Sequence, residues 1–529
     1  MGRESSSRLP PFIAAMLEPA FYPNQPDSVD LIQTHISYVL LAGERVYKLK
    51  KQVRFSFLDF STLPQRRHFC HEEVRLNRRL APDTYLGVRG VVADGDGFRL
   101  AADDDPAAIE YAVEMRRLPA DRMLPALLQR NEVTAEVIES IVMRLVAFHR
   151  AADSGPEVRA AGDPQRVLEA MDADFAEAAR FRGVTIAPGD DDAVIGFCRD
   201  SMRRWGPLLE RRRLDGKVRE GHGDLHAEHV CMTDGVVVFD CIEFNPAFRC
   251  RDVAGEIAFL AMDLDYRERL DLSSLFVERY AAAAEDADLR QLVPFFKAHR
   301  AYIRGKVDSL KSEEPEVDES ERSAAAESAR RHFALAYRYT WSDLRCLIVI
   351  VGLSGSGKST IARALRERTG FAHFSSDVIR KQLAGVDPRS RVGAGDASGL
   401  YSPERSAQTY ARMLELAGDE LDAGRSAIVD ATFLRRADRD AARAPAREKS
   451  APLVFIECEC DPREVIRRLR ARQAENNDPS DADEDVYQRQ REAYEPFAGD
   501  ELAERLSVDT TVDTSVILQS IEARLRRLR

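Results

Sequence analysis

The residues best suited to chemistry follow a short apolar run near position 350. Leu347–Val351 (LIVIV) is typical of a buried strand, and the pattern Gly352-x-x-x-x-Gly357-Lys358-Ser359 follows it without a gap. A glycine-rich turn between a strand and a helix directs backbone N–H groups into one concavity, which holds phosphate oxygens. The N-terminus of the following helix adds partial positive charge. The pattern therefore predicts a nucleoside triphosphate site, with ATP as the cofactor.

The same motif assigns roles to single side chains. Lys358 is expected to reach the β- and γ-phosphates, and the Ser359 hydroxyl is expected to bind Mg²⁺. The residues predicted to bind nucleotide here are Gly352, Ser354, Gly355, Ser356, Gly357, Lys358, Ser359 and Thr360.

Two acidic residues follow the next predicted strands. Asp377 comes after residues 371–374, in the stretch SSDVIR that ends at Arg380, and Asp430 follows residues 427–429. Side chains at the carboxyl ends of parallel strands face the ligand crevice. Asp377 is thus predicted to accept a proton from an acceptor hydroxyl, Arg380 to hold an anionic group, and Asp430 to bind Mg²⁺. Asp377 as a helix N-cap is the alternative.

The SSDxxR arrangement resembles small P-loop kinases such as gluconate kinase, polynucleotide 5′-kinase and zeta-toxin-like kinases. A basic helix beyond Cys460 resembles the lid of such kinases, and Arg467, Arg468 and Arg472 are the candidates for stabilising transition-state charge. A solvated basic helix face is the alternative reading of these arginines.

A second group of catalytic residue types lies between positions 222 and 240. The stretch HGDLHAEH places Asp224 between histidines, and Asp240 directly follows the apolar run 236–239. One aspartate can accept the proton of an attacking hydroxyl while a second holds Mg²⁺ on the phosphates of ATP. This arrangement resembles the catalytic and metal-binding loops of the protein-kinase-like fold, as in the aminoglycoside phosphotransferases.

The resemblance extends upstream, through the stretches YKLKK and FLDFSTL. It implies that Lys48 binds phosphate, with Lys50 as a competitor on the same strand face, and that Glu73 is the ion-pair partner of that lysine, with Glu72 as the alternative. It also implies a hinge at Glu114 and Met115 that contacts adenine through backbone groups. In some bacterial proteins such a domain is fused to a C-terminal P-loop ATPase or kinase.

The chain departs from that family pattern at two places. His229 stands where the family has a metal-binding Asn, and imidazole is a poor ligand for Mg²⁺. No G-x-G-x-x-G lies between the first two strands, so a turn in the region 33–41 would have to cover the phosphates. A metal cluster of His222, His226 and His229, or a kinase-shaped lobe that binds without phosphorylating, are the alternatives.

The elements that must position these residues fall into two patterns. Residues 34–41 and 45–49 predict an antiparallel pair and 109–115 a further strand, before helices at 133–151 and 164–181. After the P-loop, strands at 371–374, 427–429, 453–458 and 506–508 alternate with helices, which indicates a parallel sheet. We predict an α+β protein-kinase-like domain (residues 1–340) with a small β lobe and a helical lobe, then an α/β P-loop domain (residues 341–529).

Composition narrows the class of protein. The chain has 529 residues, a formal net charge of −12 and eight cysteines without a C-x-x-C pair. The acidic balance argues against duplex DNA as a partner. The cysteine pattern favours free thiols in the cytoplasm. No apolar run reaches the roughly 18 residues of a membrane span. The sequence does not indicate the oligomeric state.

The sequence thus predicts an ATP-dependent phosphotransferase with two nucleotide sites, which transfers the γ-phosphoryl group to a hydroxyl of a small molecule or nucleotide. The alternatives are a regulatory ATPase and a 5′-OH polynucleotide kinase, each with a weak or inactive N-terminal domain.

Overall fold

The computed structural model describes residues 9–55, 57–314, 317–387, 400, 402–475 and 483–529, with side chains omitted for residues 472–475. The chain divides into two compact units, Met1–Ala336 and Tyr337–Arg529. The sequence-based boundary, between residues 340 and 341, lies a few residues further on. It follows the helix Glu319–Tyr339, which spans the division.

The first unit begins with an antiparallel six-stranded sheet of order β1-β2-β3-β8-β6-β7. Gly43 adopts a φ of 63° in the tight turn between β2 and β3, a conformation that glycine reaches without a steric penalty. The strands of this unit, including three short two-stranded pairs, are β1 Val29–Gln33, β2 Ser37–Ala42, β3 Arg45–Lys50, β4 Arg54–Phe55, β5 Leu58–Asp59, β6 Tyr85–Asp94, β7 Gly97–Ala101, β8 Ala108–Arg116, β9 Val218–Glu220, β10 Val230–Met232, β11 Val236–Val238 and β12 Cys250–Asp252.

Helices make up most of the rest of this unit. A capping box defines the start of helix α2, where the Thr62 side chain accepts a hydrogen bond from the Gln65 backbone amide. The helices are α1 Pro11–Met16, α2 Leu63–Asn77, α3 Leu124–Gln129, α4 Ala135–Ala151, α5 Pro156–Ala161, α6 Pro164–Ala178, α7 Pro188–Leu214, α8 Pro246–Arg249, α9 Val253–Tyr266, α10 Leu270–Ala283, α11 Leu289–Ser312 and α12 Glu319–Tyr339.

The second unit is a parallel five-stranded sheet of order β14-β15-β13-β16-β17. The P-loop strand β13 is the central strand and is completely buried. The chain leaves it toward β14 and β15 on one side and later returns to β16 and β17 on the other. This reversal of strand order creates the crevice in which ligands bind in open α/β sheets.

The strands of the second unit are β13 Leu347–Val351, β14 Ala372–Ser375, β15 Ala427–Ala431, β16 Leu453–Glu459 and β17 Arg505–Asp509. Its described helices are α13 Lys358–Thr369, α14 Ser376–Leu383, α15 Pro403–Asp422, α16 Arg436–Glu448, α17 Pro462–Glu475, α18 Glu484–Ala493 and α19 Thr514–Arg526.

The predicted fold class is confirmed, since an antiparallel sheet with a helical region precedes a parallel α/β P-loop unit. Strands β1, β6 and β7 were not foreseen. The predicted turn region 33–41 is mostly strand, because β1 ends at Gln33 and β2 begins at Ser37, which leaves only residues 34–36 between them. All eight cysteines are free thiols, as predicted. Within the described ranges, no helix is both long and apolar enough to cross a bilayer.

Candidate functional site

The phosphate loop of the second unit has the backbone that its glycines require. Gly355 and Gly357 take φ values of 79° and 87°. A Cβ atom on Gly355 would lie 2.9 Å from Val465, so a larger residue is excluded there by packing as well. Helix α13 begins at Lys358, directly after the loop, and its N-terminus therefore points into the loop.

The other predicted loop residues lie between β13 and α13. Gly352 has no room for a side chain, because a Cβ atom would lie 2.5 Å from the Ser356 hydroxyl. The Ser354 amide donates to the Gln490 side-chain oxygen of α18 over 2.8 Å. Ser359 and Thr360 follow in the first turn of α13.

Asp430 lies in β15, next to β13, and is 1% exposed. Among the described residues, neither of its oxygens has a hydrogen-bond partner. Burial acts to raise the pKa of Asp430, but His373, Lys358 and Ser359 outweigh it and lower the pKa overall. An ionised, unsatisfied carboxylate therefore sits beside the phosphate-loop lysine and serine.

Asp377 lies two residues beyond the end of β14, where Ser375 is paired with Asp430. Its carboxylate is 3.2 Å from Arg380, which is itself buried. The N-cap of α14 is Ser375, so the alternative reading of Asp377 as the N-cap was wrong. The structure thus brings Asp377, Arg380 and Asp430 to one edge of the sheet.

Helix α17 packs against the phosphate loop and separates the predicted arginines. Arg468 donates to the Thr510 carbonyl oxygen over 2.8 Å, and it would lie 3.1 Å from a Cβ atom on Gly357. Arg467 is mostly exposed and pairs only with Glu464 among the described residues. The side chain of Arg472 lies outside the described residues. Arg468 is therefore the lid candidate that the structure places beside the loop.

In the first unit, two lysines of β3, the buried Lys50 and the partly exposed Lys48, share one buried glutamate of α2. Glu73 Oε1 lies 2.9 Å from Lys48 Nζ, and Glu73 Oε2 lies 2.8 Å from Lys50 Nζ. Lys48 also donates to Asp240 over 2.5 Å, whereas Lys50 donates to Glu243. Burial acts to raise the pKa of Glu73, but the two ammonium groups outweigh it and the pKa is lowered.

This network shows how the pairs of candidates left open by the sequence differ in their contacts. Glu73 is the buried partner of both lysines, whereas Glu72 pairs with Arg75 at the surface. Lys48, rather than Lys50, contacts Asp240.

Asp240 adopts a backbone conformation that few side chains tolerate. Its φ is 63°, and its amide donates to the Tyr85 hydroxyl over 3.1 Å. A left-handed backbone conformation costs free energy for residues other than glycine, and such residues cluster at functional sites. The conformation directs the carboxylate toward both Lys48 and His229.

Asp224 lies among histidines in the loop that precedes β10. Its carboxylate is 3.3 Å from His226 Nε2 and 3.7 Å from His229 Nδ1. Burial acts to raise the pKa of Asp224, but His226 and His229 outweigh it and hold the pKa well below its usual range. His222 is oriented differently, with Nε2 donating to the Phe239 carbonyl over 2.8 Å. The loop therefore holds Asp224 as an ionised and partly exposed carboxylate.

The predicted adenine hinge needs correction. Glu114 and Met115 lie within β8 and pair with β3 on one side and β6 on the other. Their backbone groups therefore belong to the sheet, and a hinge would have to follow the strand. The Met115 side chain instead joins an apolar cluster with Val46, Tyr85 and Phe239.

Donor chemistry separates the two candidate metal sites. The Asp430 carboxylate and the Ser359 hydroxyl are oxygen donors, which suit Mg²⁺. In the first unit, Asp240 faces His229 Nε2 at 3.5 Å. Imidazole does not suit Mg²⁺, and this second donor set does not fit that ion.

Comparison with known proteins agrees with the P-loop geometry. Residues 347–497 match the model of a family described as an AAA domain. Uncharacterized proteins of Mycobacterium tuberculosis (strain ATCC 25618 / H37Rv) and Mycobacterium bovis are each 29% identical over 452 residues, covering 85% of this chain and 87% of the relative.

Two solved kinase structures match about a third of the chain. A gluconokinase from Sinorhizobium meliloti 1021 is 22% identical, with a TM-score of 0.24 over 35% of this chain and 94% of its own. The APS kinase CysC of Mycobacterium tuberculosis, in complex with AMPPNP and APS, is 18% identical, with a TM-score of 0.26 over 35% of this chain and 99% of its own.

Sequence reasoning missed two residues that hold the sites together. Glu256 of α9 accepts from the His222 and Gly223 amides and contacts His149 at 2.9 Å, so it fixes the Asp224 loop. His373 of β14 lies 3.7 Å from Asp430. Glu256 could have been noticed in the sequence, because it is an acidic residue within the apolar run VAGEIAFLA. No local sequence pattern indicated that His373 lies beside Asp430.

Proposed function

We propose that this chain is an ATP-dependent phosphotransferase with two nucleotide sites, one in each unit, and that its acceptor is a hydroxyl of a small molecule or nucleotide. The observation that carries the proposal is the buried, unsatisfied Asp430 carboxylate beside Lys358 and Ser359, with Asp377 at the end of the neighbouring strand. A loop that only bound ATP would not need the Asp377 carboxylate, whose proposed role is to accept the proton of the acceptor hydroxyl.

In the P-loop unit, Lys358 and the loop amides hold the β- and γ-phosphates of ATP. Mg²⁺, held by Ser359 and Asp430, would neutralise charge on these phosphates. Asp377 takes the proton of the acceptor hydroxyl, the freed oxygen bonds to the γ-phosphorus, and the bond from that phosphorus to the bridging oxygen breaks, releasing ADP. Arg468 is positioned to offset the negative charge that develops on the phosphates.

The first unit offers a second set of residues for the same reaction. Lys48, held by Glu73, would bind the phosphates, and Asp224 would accept the proton of an acceptor hydroxyl. These roles follow the resemblance to aminoglycoside-phosphotransferase-like domains, and the Lys48–Glu73–Asp240 network supports them.

Transfer of label from γ-labelled ATP into a metabolite and nucleic-acid extract tests the proposal. The variants Lys358→Ala and Asp224→Asn each disable one site, and Arg467→Ala is the matched control for Arg468→Ala. Loss of label transfer in Lys358→Ala and in Asp377→Asn would support a kinase in the P-loop unit. Loss of label transfer in Asp224→Asn would support phosphoryl transfer in the first unit.

One observation favours a second candidate, a regulatory ATPase with an inactive first unit. His229 replaces the oxygen donor that Mg²⁺ requires there. This candidate predicts free phosphate without any labelled acceptor, and no effect of Asp224→Asn. That result would overturn the proposed transfer reaction.

A further inference from the structure

The Asp224 loop gathers donor atoms that Mg²⁺ does not explain. Asp224, His226 and His229 each place one potential ligand atom within 4.8 Å of the others. The rings of His226 and His229 are in contact, with centroids 4.0 Å apart and planes inclined by 36°. Asp240 lies beside this group, with Oδ2 3.5 Å from His229 Nε2.

His229 is held as metal-binding histidines are held. Its Nδ1 lies 2.8 Å from the Asp224 carbonyl oxygen, which can only accept, so Nδ1 carries the proton of the neutral ring. The lone pair is then on Nε2. Donation of one ring nitrogen to a carbonyl is the usual outer contact of a ligating histidine, because it fixes the tautomer and the ring direction.

The Nε2 lone pair faces another acceptor. Asp240 Oδ2 is 3.5 Å away, and no proton of the neutral ring lies between them. Two ligands about 2.1 Å from one ion, at a roughly tetrahedral angle, lie about 3.4 Å apart. Lys48 binds the other oxygen, Oδ1, and so leaves Oδ2 directed at His229. A cation between the two atoms would satisfy both.

We propose that His229 Nε2 and Asp240 Oδ2, with the His226 ring beside them, bind a first-row transition-metal dication of the Mn²⁺, Co²⁺ and Zn²⁺ class in place of Mg²⁺, while Asp224 stays available as the proton acceptor. Mixed imidazole and carboxylate donors suit these ions, whereas Mg²⁺ prefers oxygen alone. The site lies wholly in the first unit, and only its role in phosphoryl transfer rests on the proposed function.

Cobalt binding to the nucleotide-free, metal-free full chain tests the site directly. Co²⁺ with nitrogen ligands and fewer than six neighbours absorbs visible light far more strongly than Co²⁺ surrounded by oxygen. We expect one equivalent of such absorbance, displaced by one equivalent of Zn²⁺ and retained in millimolar Mg²⁺.

The decisive variant is His229→Asn, which restores an oxygen donor. We expect it to weaken Co²⁺ binding by at least about 10-fold, because loss of an outer contact of a metal ligand already costs about 10–100-fold and His229 is a direct ligand. His71→Asn is the matched control, because His71 also lies beside an aspartate, Asp103 at 3.3 Å, but is 46% exposed on the surface. Circular dichroism of both variants verifies that each is folded.

Two further variants separate this site from other cobalt sites. Asp430→Asn removes the oxygen site of the P-loop unit and should leave the absorbance intact. Lys48→Met removes the ammonium that competes for Asp240 and should tighten Co²⁺ binding, an effect opposite to that of general damage. A thiolate-to-cobalt band in the near ultraviolet would assign the metal to cysteine and overturn the proposal.

The outcomes distinguish this inference from the proposed function. Absorbance lost in His229→Asn and kept in His71→Asn supports the metal site, whether or not label transfer is found. Absence of strong absorbance, or absorbance unchanged in His229→Asn, overturns the metal site. Label transfer that depends on Asp224 would still support the phosphotransferase in that case.

Discussion

Replacing Glu73 by Gln tests the buried charge network of the first unit. Glu73 is fully buried, and each of its oxygens contacts one lysine at 2.8–2.9 Å. The substitution keeps the shape but leaves two ammonium groups with only Asp240 and Glu243 as partners. Breaking a buried ion pair costs about 3–5 kcal/mol. The matched control, Glu72→Gln, affects a surface pair with Arg75 and should cost about 0–1 kcal/mol.

The two tryptophans of the chain allow each unit to be monitored alone. Trp205 lies in α7 of the first unit, and Trp341 is buried in the second. In a Trp341→Phe background, fluorescence during urea unfolding reports on the first unit. With a slope of about 3 kcal/mol per molar urea, as expected for a unit of this size, Glu73→Gln should lower the midpoint by about 1–1.7 M. In a Trp205→Phe background the midpoint should not change.

Acidification adds a second check on Glu73. Its folded-state pKa is lowered, so its stabilising effect is present above the ordinary carboxyl pKa and is lost as the pH falls through the folded value. The difference between Glu73→Gln and the unmodified chain should therefore shrink below about pH 4.5. Equal midpoints for Glu73→Gln and Glu72→Gln at neutral pH would refute the network as described.

The remaining predictions concern both units. Arg468→Ala should lower the turnover of the P-loop unit at least tenfold, and Arg467→Ala less than about twofold, because only Arg468 lies at the loop; steady-state kinetics decides, and equal effects would contradict the placement. His149 and the loop amides lower the pKa of Glu256, despite its burial, to about 2. Its stabilising effect, about 3 kcal/mol, should be lost between about pH 4.5 and 2, and Glu256→Gln should remove that part of the pH dependence of unfolding. Gly221→Ala should destabilise the first unit by about 1–3 kcal/mol in the same urea assay, because a Cβ atom there would lie 2.1 Å from Glu256; an unchanged midpoint would show that Glu256 moves freely.

What the sequence predicted well was local. The P-loop needs only a strand, a glycine-rich turn and a helix in succession, and all three are adjacent in the chain. Asp430 was predicted to follow a strand at residues 427–429, because it interrupts the apolar run there, and it lies within that strand, one residue before β15 ends at Ala431. Alternation along β3 also put Lys48 and Lys50 on one face.

What the sequence did not predict depends on packing between distant segments. The rotation of α17 about its own axis separates Arg467 from Arg468, and Val465 and Leu469 determine that rotation by packing beside the loop. Glu243 reaches Lys50 across nearly two hundred residues of chain. The hinge prediction at Met115 was wrong because strand β6 pairs on the far side of β8, and that strand was not foreseen.

The hydrogen bond from the Ser354 amide to Gln490 has a thermodynamic consequence. It joins the phosphate loop to α18, a helix more than a hundred residues away in sequence. If nucleotide favours one arrangement of this bond, then the arrangement of α18 and the affinity for nucleotide are reciprocally linked, and each must change the other by the same factor. An acceptor or inhibitor that contacts only α18 would then alter ATP binding without touching a single phosphate-binding residue.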